Sequence, residues 1–224
     1  MKSLVRLLQI ASPALPIGGY SYSQGLEWMV EAGGIRDAAA AQAWIGGMLD
    51  GVMARGEAPV LVRLCRCAHE GDWDGFTRWH AWFRASRETS ELVAETQQMG
   101  GALAKLLVDL DLADAAIREA MRVNAPLTLP GAFALAARAM SIEARDAAIA
   151  YLWSWLENQA LAAIKAVPLG QVAGQKMLLA LGATITAIVE GAQAMDDDDI
   201  GSFAPGLALA SARHETQYSR LFRS

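Results

Sequence analysis

The hydrophobic positions of this chain recur with the period of an α-helix almost from end to end. Apolar residues return every three to four positions, and no stretch alternates apolar and polar residues between Asn-Gly or Asp-Gly turns as a hairpin would. Alanine, the residue that costs least to place in a helix, is the commonest, and β-branched runs are scarce. The pattern predicts an all-α fold.

Prolines, glycines and capping residues divide the pattern into about ten helices. Asp37 and Ser141 are suited to accept the free amides at two helix starts, and Pro59 and Pro205 suit a first helical turn. The best-bounded predicted helices span 24–33, 38–53, 59–71, 133–140, 141–165 and 171–194. Since no repeat or long linker separates them, residues 1–224 are predicted to form a single domain.

Two groups of polar residues have two possible interpretations each. Arg84, Arg87, Glu88, Glu91 and Glu95 would share one face of a helix, as a solvated salt-bridge face or as a charged docking surface.

The second group lies in the helix around 149–164, which is otherwise apolar on all sides and therefore belongs at the centre of a bundle. Ser154, Glu157, Asn158 and Lys165 form a stripe there that faces either solvent or a groove or partner.

Composition and charge exclude several classes of protein. Hydrophobic residues make up 54% and charged residues 19%, which excludes wholesale disorder. A net charge of -5 argues against a nucleic-acid binder or a polybasic membrane module. Arg6 and Gln9 interrupt a possible signal peptide, and the longest apolar run, 177–189, is shorter than the ~20 residues of a membrane span. We expect a cytoplasmic protein.

No complete catalytic motif is present in the sequence. None of the four lysines follows a glycine, so a phosphate-binding loop is missing. A metalloprotease helix would need a second histidine four residues after His214, where Tyr218 stands. Ser21 lacks the second glycine of a nucleophile elbow, since Ser23 occupies that place. We predict that the chain is not an enzyme.

The two cysteines, Cys65 and Cys67, are one residue apart and are not expected to form a disulfide, which favours a reducing compartment. On a helix Cys65 would share a face with His69, and a transition metal would need further ligands from elsewhere. Burial in the core is the alternative interpretation for Cys65, and packing or an interface is the alternative for His80.

Two segments are unusual for a helical bundle. Residues 12–27, SPALPIGGYSYSQGLE, form a loop rich in proline, glycine and tyrosine that is costly to order unless something packs on it. Residues 211–224 combine arginines with an apolar stripe of Tyr218, Leu221 and Phe222. This tail is predicted to order against a partner, with docking back on its own chain as the alternative.

These two segments carry a resemblance to a known family. Residues 12–27 closely resemble the N-terminal signature of the UreF family of urease accessory proteins, and residues 214–224, HETQYSRLFRS, resemble that family's C-terminal end. Residues 87–92, RETSEL, and 165–171, KAVPLGQ, match the family between them. Four dispersed matches in the right order cover the whole chain.

The resemblance implies an all-α chaperone, usually a homodimer, with no catalysis and no cofactor of its own. Such proteins join the accessory protein UreD (also called UreH) and the GTPase UreG on apo-urease. The assembly supports GTP-dependent insertion of nickel into urease, so nickel and GTP are handled by the complex in the cytoplasm.

The resemblance also implies roles for individual residues. The segments 1–27 and 211–224 would bind partners, and coupling to UreG would involve Tyr20, Glu27, Arg87, Glu88 and Lys165. The residues implied to contact UreD are His214, Glu215, Gln217, Tyr218, Arg220, Leu221, Phe222 and Arg223. This chain departs from many relatives at Val93-Ala94, where further charges are common, so that surface is predicted to be less charged.

Two other classes of function are open. A nickel-binding carrier would hold the metal itself through Cys65, His69, His80 or His214. These are few ligands for selective metal binding. A small hydrolase would depend on His214. Neither Cys67 nor the acidic run 196–199 belongs to a recognised signature.

Overall fold

The computed structural model describes residues 2–224, with side chains from residue 4 onward. These residues contain twelve α-helical segments and no strand. The segments are α1 (Lys2–Ile10), α2 (Leu26–Glu31), α3 (Ala38–Met48), α4 (Ala58–Glu70), α5 (Trp73–Ala85), α6 (Ser90–Asp109), α7 (Ala115–Val123), α8 (Leu129–Ala139), α9 (Ala144–Ala166), α10 (Gln171–Gly182), α11 (Ile185–Ala194) and α12 (Pro205–His214).

Two pairs of these segments join into longer rods. A π-helix, Leu49–Glu57, connects α3 to α4, and α10 continues into α11 as one helix over Gln171–Ala194. Counted as rods, residues 2–224 contain ten helices, so the predicted all-α class and the number of helices are confirmed.

Helix α9 lies at the centre of the molecule. It contacts α1, α2, α3, α4, α8, α10 and α11. Leu152 and Leu156 are fully buried, and the ring of Tyr151 packs edge-on against Phe133 of α8 at 5.1 Å between centroids. The sequence predicts this central position, because a helix that is apolar on all sides has to be covered on all sides.

Side-chain caps decide several helix starts. Asp37 accepts a hydrogen bond from the Ala40 amide at 2.8 Å, as predicted, and Asp72 accepts from the Gly75 amide at 2.9 Å. Thr89 accepts from the Leu92 amide and starts α6, whereas α5 ends at Ala85.

The break between α5 and α6 contradicts one prediction. Arg84, Arg87, Glu88, Glu91 and Glu95 do not share one helical face, because residues 86–89 are not helical. The spacing of the charged residues could not reveal this break, because the surrounding pattern is helical and the helix is interrupted by the capping hydroxyl of Thr89.

Two further predicted boundaries are wrong. Ser141 has φ +54° and does not cap α9, which begins instead after Glu143. Pro59 opens no new helix, because the π-helix carries the chain from α3 into α4 without a break.

The acidic run forms a short 3-10 turn, Asp197–Asp199, in which Asp197 accepts a hydrogen bond from Arg63 at 2.9 Å.

The helix Gln171–Ala194 is longer than the apolar run recognised in the sequence. It has 24 residues, and its most apolar 18-residue window has a mean hydropathy of 1.6, so length and composition alone would allow it to cross a membrane. It packs along α9 and also contacts α3 and α4, while only 28% of its most apolar window is buried. A turn at 183–184 interrupts it. This helix therefore presents an apolar outer face.

Candidate partner-binding site

The C-terminal tail, residues 215–224, lies against its own chain. The Arg223 amide donates to the Ser21 carbonyl at 2.7 Å, and the Ser23 amide donates to the Ser224 carbonyl at 2.7 Å. These two bonds join the tail to the loop of residues 12–25. The tail is thus ordered by docking back on its own chain, the alternative that the sequence left open.

Glu27 of α2 holds the backbone of this tail. Its carboxylate accepts hydrogen bonds from the amides of Leu221 at 2.6 Å and Phe222 at 3.0 Å, and from His214 Nε2 at 3.1 Å. Glu27 is only 7% exposed. The residue implied to couple to UreG is therefore a buried carboxylate whose visible task is to position the tail.

Helix α2 comes close to α12 because of Gly25. This residue has φ +76°, and a Cβ added to it would lie 2.8 Å from Ala210 Cβ of α12. Only glycine adopts this backbone conformation freely and leaves room for the neighbouring helix. The close approach brings Glu27 within reach of His214 at the end of α12.

Lys165 links the loop to the tail. Its ammonium nitrogen lies 5.9 Å from the ring centroids of both Tyr20 and Phe222. Lys165 and Tyr20 are exposed, whereas Phe222 is buried. Tyr20 and Lys165, which the resemblance assigns to UreG coupling, therefore lie beside the tail, which it assigns to UreD.

Two residues of the polar stripe of α9 face the loop region, whereas Lys165 of the same stripe is exposed. Ser154 Oγ donates to the Ala11 carbonyl at 2.9 Å, and Asn158 Nδ2 donates to the Tyr22 carbonyl at 3.1 Å. Both side chains satisfy backbone oxygens of the loop, which would otherwise lack partners at this contact. Partial burial raises the pKa of Glu157 in the same stripe.

Beneath the loop lies a cavity of about 110 Å³. Its polar lining includes Glu57, Arg87 and Tyr151. Arg87 donates to Glu57 at 3.1 Å, both side chains are 8% exposed, and the Tyr151 hydroxyl donates to the other oxygen of Glu57. The Arg87 guanidinium also covers the Phe83 ring at 4.3 Å from its centroid. Arg87 is thus a core residue, whereas its neighbour Glu88 is exposed.

Glu95 connects this cavity to the tail. It accepts hydrogen bonds from Gln24 Nε2 at 2.8 Å and from Ser224 Oγ at 2.7 Å. Burial raises its pKa to about 7, and the charge of Glu57 adds to the effect, while the two hydrogen bonds and Arg87 oppose it. A buried carboxyl therefore changes its charge near neutral pH directly under the end of the tail.

The tail presents a set of uncovered side chains to solvent. Tyr218 is fully exposed and Leu221 is 74% exposed, although the backbone amide of Leu221 is fixed by Glu27. Arg220 and Arg223 stand beside them, and Arg220 donates to Glu91 at 2.7 Å. Tyrosine and arginine are enriched in protein-binding hot spots, and here they stand with an exposed leucine on a fixed backbone.

Two further tail residues that the sequence assigns to UreD lie near α6 or within the tail. Glu215 is exposed and accepts a hydrogen bond from Ser90. Gln217 is half-buried and donates to the Ser219 carbonyl at 2.9 Å. The residues on the outer face of the tail are therefore Tyr218, Arg220, Leu221 and Arg223.

The four side chains of the carrier alternative are not brought together. Cys65 is fully buried, and burial raises the pKa of its thiol to about 12, which disfavours the thiolate that metals bind. His69 Nδ1 lies 2.7 Å from the Cys65 carbonyl oxygen, and His80 Nε2 accepts from the Thr128 amide at 3.0 Å. Residues 2–224 contain no cluster of three or more histidine, cysteine or acidic side chains placed to hold a metal ion.

Sequence reasoning missed Glu57, Glu95 as a buried group, and Gln24. Glu57 carried a signal, because it directly precedes the apolar run APVLV, and a charged residue that lies in a core is almost always paired. Gln24 carried none: it accepts from Trp155 Nε1 and donates to Glu95 across long sequence distances.

Sequence comparisons with known proteins cover the loop, the tail and the helices between them. The sequence model of the UreF family matches residues 35–182, between the two signature segments. A urease accessory protein UreF from Azoarcus sp. (strain BH72) is 54% identical over 223 residues, which cover 99% of this chain and 95% of that protein. Proteins of the same name match at 49% identity from Methylobacillus flagellatus, covering 100% of this chain and 98% of the relative, and from Cupriavidus necator, covering 100% and 99%.

The family match spans the core of the fold, and the relatives align with both the loop and the tail. The chain therefore belongs to the UreF family of urease accessory proteins.

Proposed function

We propose that this chain is a non-catalytic assembly factor that bridges UreD and the GTPase UreG and supports GTP-dependent insertion of nickel into apo-urease. The observation that carries the proposal is the continuous surface formed by the tail, Tyr20 and Lys165. Its side chains are of the kind that bind proteins, and its backbone is fixed in advance, which lowers the entropy lost on binding. In this proposal the nickel and the nucleotide belong to the complex in the cytoplasm.

The outer face of the tail is the proposed contact with UreD. Tyr218 and Leu221 are exposed apolar groups that gain free energy only when a partner covers them. His214, Glu215, Gln217 and Phe222 are proposed to support this face from behind, while Arg220 and Arg223 flank it.

Co-purification with UreD tests this contact. The double variant Tyr218→Ala/Leu221→Ala should lower the amount of bound UreD at least tenfold while leaving the free energy of unfolding within about 0.5 kcal/mol, because both side chains are exposed. The matched control is Leu110→Ala/Val123→Ala, which removes two exposed apolar side chains outside the loop and the tail. Equal binding by the tail variant and the wild type would refute the contact.

Coupling to UreG is proposed to use Tyr20, Lys165 and Glu88 directly. Glu27 and Arg87 are buried, so any effect of theirs would pass through the tail and the cavity beneath the loop. A change in GTP turnover by UreG on addition of this chain with UreD would support the coupling, and no change would count against it.

A homodimer is part of the proposal. The outer face of α10 exposes Val172 and Leu179, and α1 exposes Leu4, Val5 and Leu8. Exposed apolar side chains on a folded helix are a common feature of subunit interfaces. The mass of the isolated chain in solution tests this part.

A further inference from the structure

His214 lies between two carboxylates at the point where α12 ends and the tail begins. Its side chain is fully buried. Nδ1 lies 2.8 Å from Glu91 Oε2, and Nε2 lies 3.1 Å from Glu27 Oε2. The two carboxylates lie on opposite sides of the ring, so they do not converge on one point as metal ligands would.

This geometry sets the number of protons on the ring. A neutral imidazole has one N–H donor and one lone pair, and a lone pair that faces a carboxylate oxygen is repelled. Both contacts are attractive only when the ring carries two protons, since each carboxylate then accepts a charge-assisted hydrogen bond. Arg220 donates to the second oxygen of Glu91, so two cations balance two buried carboxylates.

Other titratable groups near His214 do not take over this role. Glu95 binds Ser224, Glu215 binds Ser90, and Arg223 donates to Gln98. The ionisable residues on the elements packed around the ring are Glu27 and Glu31 on α2, Glu91, Glu95, Lys105 and Asp109 on α6, Arg213 on α12, and Glu215, Tyr218, Arg220 and Arg223 in the tail.

We propose that His214 is a protonation-dependent latch for the tail. With two protons the ring holds Glu27 and Glu91 together, and Glu27 in turn fixes the amides of Leu221 and Phe222. Loss of one proton to solvent leaves a lone pair against a carboxylate and an unbalanced buried negative charge, and residues 215–224 then detach. The latch is a property of the chain alone, whereas its consequence for partner binding rests on the proposed function.

The surroundings of Ser224 also favour detachment of the tail as the pH rises. Burial raises the pKa of Glu95 to about 7, so a rise in pH through this value adds a second uncompensated negative charge beneath the end of the tail. Detachment would also take Phe222 away from Lys165 and so divide the proposed partner surface.

Amide hydrogen exchange of the isolated full chain tests the latch. The protection factors of the Leu221, Phe222 and Arg223 amides, corrected for intrinsic exchange, should fall about tenfold or more between about pH 6 and about pH 8.5. In His214→Gln they should be low at both pH values, because glutamine cannot gain the second proton. Unchanged protection in the wild type over this range would overturn the proposal.

Glu91→Gln is a second variant, and it distinguishes the latch from a merely structural role of Glu91. If Glu91 were only structural, this substitution would not keep the tail protected at the higher pH. The amide that it introduces at position 91 can donate to the lone pair of a neutral His214, while His214 still donates to Glu27 and Arg220 still finds an oxygen. We expect the tail of this variant to stay protected at the higher pH, with Glu70→Gln, an exposed acid on α4, as the control that keeps the wild-type profile. A profile in Glu91→Gln equal to that of the wild type would also overturn the proposal.

Because no partner is present in this experiment, its outcome is independent of UreD binding. A chain that loses its tail protection at high pH but never binds UreD would refute the proposed function and leave the latch intact. A chain that binds UreD but keeps its tail protected at high pH would refute the latch and leave the proposed function intact.

Discussion

Two buried charge networks in this chain differ in what they join. The first, Glu57 with Arg87 and Tyr151, connects α9 to the segments around the cavity, and every member belongs to the helical body. The second, Glu27 with His214 and Glu91, connects the body to the tail. Breaking the first should lower the stability of the whole fold, whereas breaking the second should only release a segment. Burial of a charge therefore does not by itself distinguish a structural role from a functional one.

The largest expected effect is on the first network. Arg87→Ala would leave the Glu57 carboxylate buried with only Tyr151 as a partner, and the free energy of unfolding should fall by about 3–5 kcal/mol. Urea denaturation of the isolated chain measures this. Arg84→Ala, which removes an exposed arginine at the end of α5, is the matched control and should change stability by less than about 0.5 kcal/mol.

The double variant Arg87→Ala/Glu57→Gln sharpens this test. It removes the uncompensated charge, so it should recover part of the stability lost in Arg87→Ala. If Arg87→Ala lowers the free energy of unfolding by less than about 1 kcal/mol, the pair of Arg87 and Glu57 is not structural. That result would favour a direct role of Arg87 at a partner surface.

The next effect concerns Glu95, which lies between the two networks. Its pKa is raised from 4.5 to about 7, so the folded chain binds more protons than the unfolded chain between these values. Stability from this group is therefore complete below about pH 4.5 and is lost as the pH rises to about 7, by about 3 kcal/mol in all.

Glu95→Gln removes this dependence. The difference in unfolding free energy between the variant and the wild type should grow in favour of the variant from about pH 4.5 to about pH 7. His80, whose pKa burial lowers to about 4, gives an opposite slope in both proteins and cancels in the difference. Glu88→Gln, at an exposed position nearby, is the control. A difference that does not vary with pH would contradict the assignment.

The smallest expected effect on stability concerns Lys165. Its ammonium group is exposed although Phe222 is buried, and a cation–π contact at an exposed site contributes about 0.5–1 kcal/mol. Lys165→Ala should leave folding nearly unchanged and weaken coupling to UreG, measured as GTP turnover of the assembled complex. Lys176→Ala, an exposed lysine on α10, should change neither. A collapse of thermal stability would instead show that Lys165 is a structural cation.

The helices themselves could be read from local patterns. The cap at Asp37 and the central position of α9 follow from residues within one or two turns, because they depend on backbone amides and side-chain periodicity. The boundary errors have local causes too: the π-helix before Pro59 and the cap at Thr89 both compete with a regular helix over a few residues.

The sequence singled out the loop and the tail as unusual segments, but it did not show which of their side chains are exposed and which are buried. The pattern of the tail predicts side chains that bind a partner, and four side chains of the tail are exposed: Tyr218, Arg220, Leu221 and Arg223. Glu27 and Arg87 were assigned to a partner surface but are buried, because their partners lie elsewhere in the chain. An isolated charge in the sequence does not reveal whether a distant residue neutralises it.

The helical class, the central helix and the two unusual segments at either end follow from the amino-acid order alone, because hydrophobic periodicity and turn residues act over short distances. The meeting of the loop with the tail, and the contacts of Glu27 with residues 187 to 195 positions away, depend on how the helices pack. The physical reason is that a buried carboxylate must find its donors wherever the folded chain places them.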